Sequence, residues 1–297
     1  MLLSTQTDVM FHRFGPEKGI RIFAEAGFDA IDFSMFDMIN DSCPLNTGDI
    51  AAIEKIAEGL RKCAAENGIR FNQAHAPFPS WQFGKDEYNT KIKERIQRSV
   101  MIAGILGADA IVVHPIARAE GGDAQKEFNL NFYRDLEATA LEYHVKIALE
   151  NMWGYDSRRG YIMPNVCSFG HELADYYDAL NPDAFTVCLD LGHCGLVGEE
   201  PDTAIHTLGN RRLTALHVHD NNYRDDTHTV PYTFGCKMDW DAITKALGEI
   251  DYRGAFTYEA DNFLSRMSDD VLPSASAYMA KLGRTLIAKI DAARPQK

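Results

Sequence analysis

Short apolar runs alternate with longer amphipathic stretches along the 297 residues of this chain. The run LLSTQTDVM, 2–10, reads as a first strand. PEKGIRIFAEAG, 16–27, follows with proline at its start and glycine at its end, the punctuation of a helix. The same beat then repeats. Strands are expected at 28–34, 69–75, 108–114, 145–150, 184–190, 213–219 and 254–259. Further helices are expected at 48–67, 90–107, 123–143, 168–180, 201–209 and 239–250, with a last one within 270–290. Strands that alternate with helices imply a parallel sheet. Eight such units point to one closed (β/α)8 barrel, a TIM barrel, occupying 1–297 as a single domain. An open doubly wound sheet is the competing arrangement, since the count rests on apolar runs. No linker, low-complexity segment or residue-by-residue repeat interrupts the rhythm.

Composition narrows the function classes. The formal net charge is −13, and no Lys/Arg cluster exceeds the pairs Arg158-Arg159 and Arg211-Arg212. Each phosphate contact needs a cation, so nucleic acid and anionic membrane are poor partners for such a surface. No stretch approaches the roughly 18 apolar residues of a membrane span. The start, MLLSTQTDVM, lacks the basic segment and long apolar run of a signal peptide. The six cysteines form no CxxC pair, which suits small core hydrophobes or loop thiols kept reduced in a cytoplasm.

The strand ends change the picture. The third ends in His75, the fourth in His114, the fifth in Glu150 and the sixth in Asp190, with His193 three residues on. The seventh carries His217 and His219, and the eighth ends in Glu259. Any one alone would read as a structural histidine, a helix cap or a solvated loop acid. In a (β/α)8 barrel, however, the C-terminal mouth of the strands carries the active site. Glu150, Asp190 and Glu259 there would repel one another unless a cation joins them. Mixed carboxylate and imidazole ligands suit Mn²⁺, Zn²⁺, Co²⁺, Fe²⁺ or Mg²⁺. His217 and His219 point the same way along a strand, so the residues alone leave open which is the ligand.

The series ALEN (148–151), CLDLGH (188–193), LHVHDNN (216–222) and FTYEAD (256–261) resembles the xylose-isomerase-like barrel superfamily. That group includes sugar isomerases, ketose 3-epimerases, hydroxypyruvate and inosose enzymes, and endonuclease IV. The resemblance covers nearly the whole chain. Each motif is weak alone; four in order point to the superfamily, not to one member. It implies one divalent metal ion held by Glu150, Asp190, His217 and Glu259. The superfamily pattern His-x-x-acid-x-Asn fits His217, Asp220 and Asn222, which makes His217 the implied ligand and His219 the alternative. It further implies a sugar isomerase or epimerase acting on a sugar or sugar derivative. Glu150 and Glu259 would move a proton through a metal-stabilised enediolate, and His193 would hydrogen-bond a substrate oxygen. Self-association into a homo-oligomer is common in the group.

The substrate loops depart from the epimerase pattern. Asp156 is the nearest acid to the position of a substrate-contacting glutamate, and Tyr223 then Arg224 stand where an arginine is usual. Trp153, Tyr155 and Trp81 are candidate apolar walls. Arg158, Arg159 and Arg224 are candidate receivers of a phosphate or carboxylate. His75, His114, Asp226 and His228 complete the expected substrate-binding set. Together with His193, these same residues resemble the extra ligands of the three-zinc endonuclease IV, an alternative that the acidic charge opposes. Two further alternatives are a metal-free binding barrel and the barrel subunit of a two-chain enzyme that cleaves carbon-linked glycosides.

Overall fold

The computed structural model describes residues 1–118 and 121–295. Eight strands form at the expected places: β1 (Leu3–Gln6), β2 (Ala30–Ser34), β3 (Arg70–His75), β4 (Ala110–Val113), β5 (Lys146–Glu150), β6 (Phe185–Asp190), β7 (Leu213–His217) and β8 (Phe256–Tyr258). β8 pairs with β1, and pairing then runs in order to β7, every ladder parallel. A bridge between Val218 and Tyr258 joins the two ends of the sheet into a nearly closed barrel. The expected TIM barrel is therefore the fold, and the open sheet is ruled out.

Two layers of side chains follow from the two-residue strand period. Ile111, Val113, Ile147, Leu149, Val187, Leu189 and Leu216 join the large apolar core shared with the surrounding helices. Their neighbours Ala110, Val112, Ala148, Cys188 and Ala215 form a separate small cluster inside the ring. Small residues suit that narrow interior. Below them Ser4 donates to Asn72 (2.6 Å), which donates to Thr257 (3.3 Å), so polar groups at the barrel base satisfy one another.

Some boundaries differ from expectation. The first strand stops at Gln6, and Asp8–Phe14 is a helix, because a short apolar run such as Val9–Phe11 fits either element. β4, β7 and β8 end one or two residues early, so His114, His219 and Glu259 stand just beyond their strands. The sequence reading also missed a two-stranded hairpin, Trp153–Asp156 with Tyr161–Pro164, and short helices Leu191–Val197 and Asp261–Ser265. Among the described residues no helix is long and apolar enough to cross a membrane.

Candidate functional site

The mouth is built by counting two residues past the small inner layer. Val112 leads to His114, Ala148 to Glu150, Cys188 to Asp190 and Ala215 to His217. Each reactive side chain thus faces the same interior as its small predecessor. Ligand atoms of Glu150, Asp190, His217 and Glu259 all lie within 4.8 Å of one another. His217 Nδ1 is 2.6 Å from Glu150 and 3.1 Å from Glu259. All four residues are buried.

Two flanking groups adjoin this centre. On one side His114 Nε2 sits 2.9 Å from Glu150 Oε2 and 3.0 Å from His75 Nε2. On the other, His193, His219, Asp226 and His228 converge. The rings of His219 and His228 stack at 4.1 Å, and His219 Nε2 lies 3.0 Å from Asp190. Backbone carbonyls fix three tautomers. His75 Nδ1 donates to Ala76 O (2.8 Å), His193 Nδ1 to Asn151 O (2.8 Å) and His228 Nδ1 to Glu259 O (2.9 Å). A carbonyl only accepts, so in each neutral ring Nε2 is left bare, and it points at the cluster. Buried Asp190 Oδ2, His217 Nε2, His219 Nδ1 and Asp226 Oδ1 make no well-aligned hydrogen bond, and Glu150 Oε2 and His219 Nε2 have only poorly aligned ionic neighbours, His114 and Asp190. Bare imidazole nitrogens beside orphaned carboxylate oxygens are the donor set a divalent cation requires, and the residues present fit one.

The charges agree. Burial would raise the Glu150 carboxyl, but His217 and His114 outweigh it and hold the group well below the usual range. Against burial, His193 and His219 hold Asp190 down to about 2. Glu259 goes the other way: burial pushes it up to about 7, with Glu150 and Asp190 adding to the push against His217 and His228. Burial would lower His193, yet Asp190 and Asp226 lift it to about 10. Anionic oxygens thus demand positive charge at the facing nitrogens, whether proton or metal ion.

The supporting groups went largely unforeseen. Asn151 clamps the ends of β5 and β6, donating to Asp190 O (2.9 Å) and accepting from Asp190 N (2.7 Å). Asp190 also caps the helix that follows, its carboxylate accepting from His193 N. Gln6 donates to Glu259 Oε1 (2.9 Å). Asp32 accepts from Gln73 (3.0 Å) and lies 3.4 Å from His217 Nε2. An acid inside the apolar run FDAIDFS was the available signal for Asp32. Asp220 takes the indole N–H of Trp240 (2.6 Å) and serves the loop after β7 rather than the centre.

Above the centre opens a cavity of about 430 Å³. His75, His114, Glu150, His193, Asp226, His228 and Glu259 line it, together with Trp81 and Trp153. Trp153 donates its indole N–H to Asp226 (3.0 Å), tying the hairpin over the mouth. Two expected substrate contacts are not brought there. Asp156 turns into its own hairpin, accepting from Arg158 N and Arg159 N and pairing with the Arg159 guanidinium (2.8 Å). Arg224 is exposed in a turn fixed by Asn222. Tyr155, Arg158 and Arg159 are likewise exposed and line no part of the cavity.

The family model for xylose isomerase-like TIM barrels matches residues 20–282. The chain belongs to that family. A relative of this xylose isomerase-like barrel is the uncharacterised protein y4fM of Sinorhizobium fredii (strain NBRC 101917 / NGR234). It is 29% identical over 293 residues, covering 88% of this chain and 86% of the relative. Among solved structures, a D-tagatose 3-epimerase-like protein superposes with a TM-score of 0.73 at 18% identity, covering 98% of this chain and 99% of its own. The 3-keto-D-glucoside 4-epimerase YcjR from E. coli gives 0.70 at 18% identity, covering 96% and 99%. At that identity the likeness is one of fold.

Proposed function

We propose that this protein is a divalent-metal-dependent isomerase or epimerase of a sugar or sugar derivative. The observation that carries the reading is the convergence of buried Glu150, Asp190, His217 and Glu259, two of which, Glu150 and Glu259, line the floor of a cavity. These four residues would hold one ion. When bound, it supplies the positive charge that makes a C–H next to a carbonyl acidic. The epimerase names of the structural neighbours support the same reaction class.

The chain's own groups do the rest. Gln6 fixes one oxygen of Glu259 and leaves Oε2 toward the centre, where it can take or return the substrate proton. Glu150, beside His217, is placed to serve the same proton from a neighbouring strand. His75, His114, His193 and His228 offer ring nitrogens to substrate hydroxyls. Trp153, at the start of the hairpin, forms part of the cavity wall. The test is solvent deuterium incorporation into a panel of ketoses by the metal-loaded protein. Glu259→Gln is expected to keep the fold and its far-UV spectrum while exchange falls by about 10²–10⁴-fold. Undiminished exchange would sink the assignment.

A second reading has its own observation. The flanking groups His75–His114–Glu150 and His193–Asp226–His228 could each hold a further ion, as a three-zinc phosphodiesterase would require. The net charge of −13 weighs against a DNA substrate. Elemental analysis decides: about one ion per chain favours the isomerase, and about three favours the phosphodiesterase.

A further inference from the structure

The cavity has two unlike halves. Its floor is the polar centre. Its outer walls are Phe78, Trp81, Ile116, Met152, Trp153 and Val166. These side chains are braced by their neighbours: Phe78 packs 4.8 Å from the His114 ring, and Trp81 meets Phe128 edge-on at 5.4 Å. Among the described residues no lysine or arginine lines the cavity. Arg118, next to Ala117 in the loop after β4, lies over the Phe128 ring at 4.3 Å. Arg158, Arg159 and Arg224 are all exposed outside it.

A phosphate held there would meet apolar walls on one side and, on the other, the Glu150, Asp226 and Glu259 carboxylates, with His193 and His228 already paired to Asp226. Burying a charge without a partner is costly. A bare sugar would fill the polar floor and leave aromatic walls with nothing apolar to cover. At about 430 Å³ the cavity lies within the range that encloses drug-sized ligands. We infer that the substrate is an unphosphorylated sugar unit carrying an apolar, planar substituent such as an aryl group, which occupies the Phe78–Trp81–Trp153 half. The inference rests on the isomerase reading for the sugar unit and its carbonyl. A substituent on the anomeric carbon requires that carbonyl to be a ring ketone.

Binding to the metal-loaded protein tests it, read by calorimetry and by quenching of tryptophan fluorescence. The probes are phenyl and methyl 3-keto-β-D-glucopyranoside, which share the sugar unit, and fructose with fructose 6-phosphate. The phenyl glycoside is expected to bind at least tenfold tighter than the methyl one, because the ring buries several carbons' worth of apolar surface. Fructose 6-phosphate should bind no tighter than fructose. Trp81→Ala should bring the phenyl-to-methyl ratio toward one, and Trp81→Phe should keep most of it. A ratio near one in the unaltered protein, a ratio indifferent to Trp81→Ala, or a tenfold gain from the phosphate would each overturn the inference. Deuterium exchange separates the two readings. A strong phenyl preference without exchange on any probe leaves the aryl subsite standing and fells the isomerase. Exchange without the preference does the reverse.

Discussion

Gly192 shows how tightly single residues constrain the centre. A Cβ built there would stand 2.0 Å from Cε1 of His219, whose ring is buried and stacked beneath His228. The ring has no free space to retreat into, so Gly192→Ala is expected to destabilise the protein by about 1–3 kcal/mol. Gly59 is the contrast: it is exposed within the helix Ile50–Glu66, and a Cβ there meets nothing within 4 Å. Gly59→Ala should stabilise by about 0.5–1 kcal/mol, since alanine loses less chain entropy in a helix. Urea unfolding of both variants checks the opposite signs. Strand period placed His217 and His219 on one face without ranking them, and only the resemblance favoured His217. Strand period fixes direction and says nothing of depth. His217 falls between Glu150 and Glu259, whereas His219 falls against Asp190 and Asp226 in the adjoining group.

Elements whose identity is set locally were legible, and those set by tertiary contacts were not. Most of the strands announced themselves as apolar runs because both faces of a barrel strand are covered, although β1 (LSTQ) and β3 (RFNQAH) are largely polar. The strand-end acids and imidazoles stood out for the same reason, as polar residues ending an apolar run. The hairpin after β5 gave no such signal. Its ribbon is half exposed, and a bond that ties it over the mouth runs from Trp153 to Asp226, 73 residues away. Asn151 was visible in the motif ALEN, but its work was not: it joins the ends of β5 and β6 through Asp190. Asn151→Ala would strip a buried N–H of its partner, which costs about 1–3 kcal/mol. It would also loosen a carboxylate of the centre. Affinity for a divalent ion should fall about ten- to hundredfold, as when outer partners of metal ligands are removed. Competition with a chromogenic chelator measures that fall, and unchanged affinity would show that Asp190 needs no such clamp.

At the scale of the molecule, the barrel must hold its first strand to its last helix, and no local pattern reveals how. Asp29 does much of this. It accepts from the N–H of Leu3 at the start of β1 (2.8 Å) and takes both arms of Arg284 from the helix Leu272–Ala292 (2.7 Å each). Arg284 also donates to Gly27 O (2.9 Å). The partners are 255 residues apart, so only the fold shows the clasp. Burial would raise the Asp29 carboxyl, but Arg284 and the Leu3 N–H outweigh it and lower it from 3.8. A carboxyl lowered on folding adds stability that is full above its unfolded value and fades as pH falls through the folded one. Arg284 stays charged throughout. The carboxylate is about one-third exposed, so Asp29→Ala should cost about 1–2 kcal/mol at pH 7. The gap from the unaltered protein should stay constant down to about pH 4 and narrow below it. Urea midpoints at pH 7 and pH 3 test the sign. A gap that widens in acid would mean that Asp29 closes the barrel as a neutral hydrogen-bonding group, not as an anion.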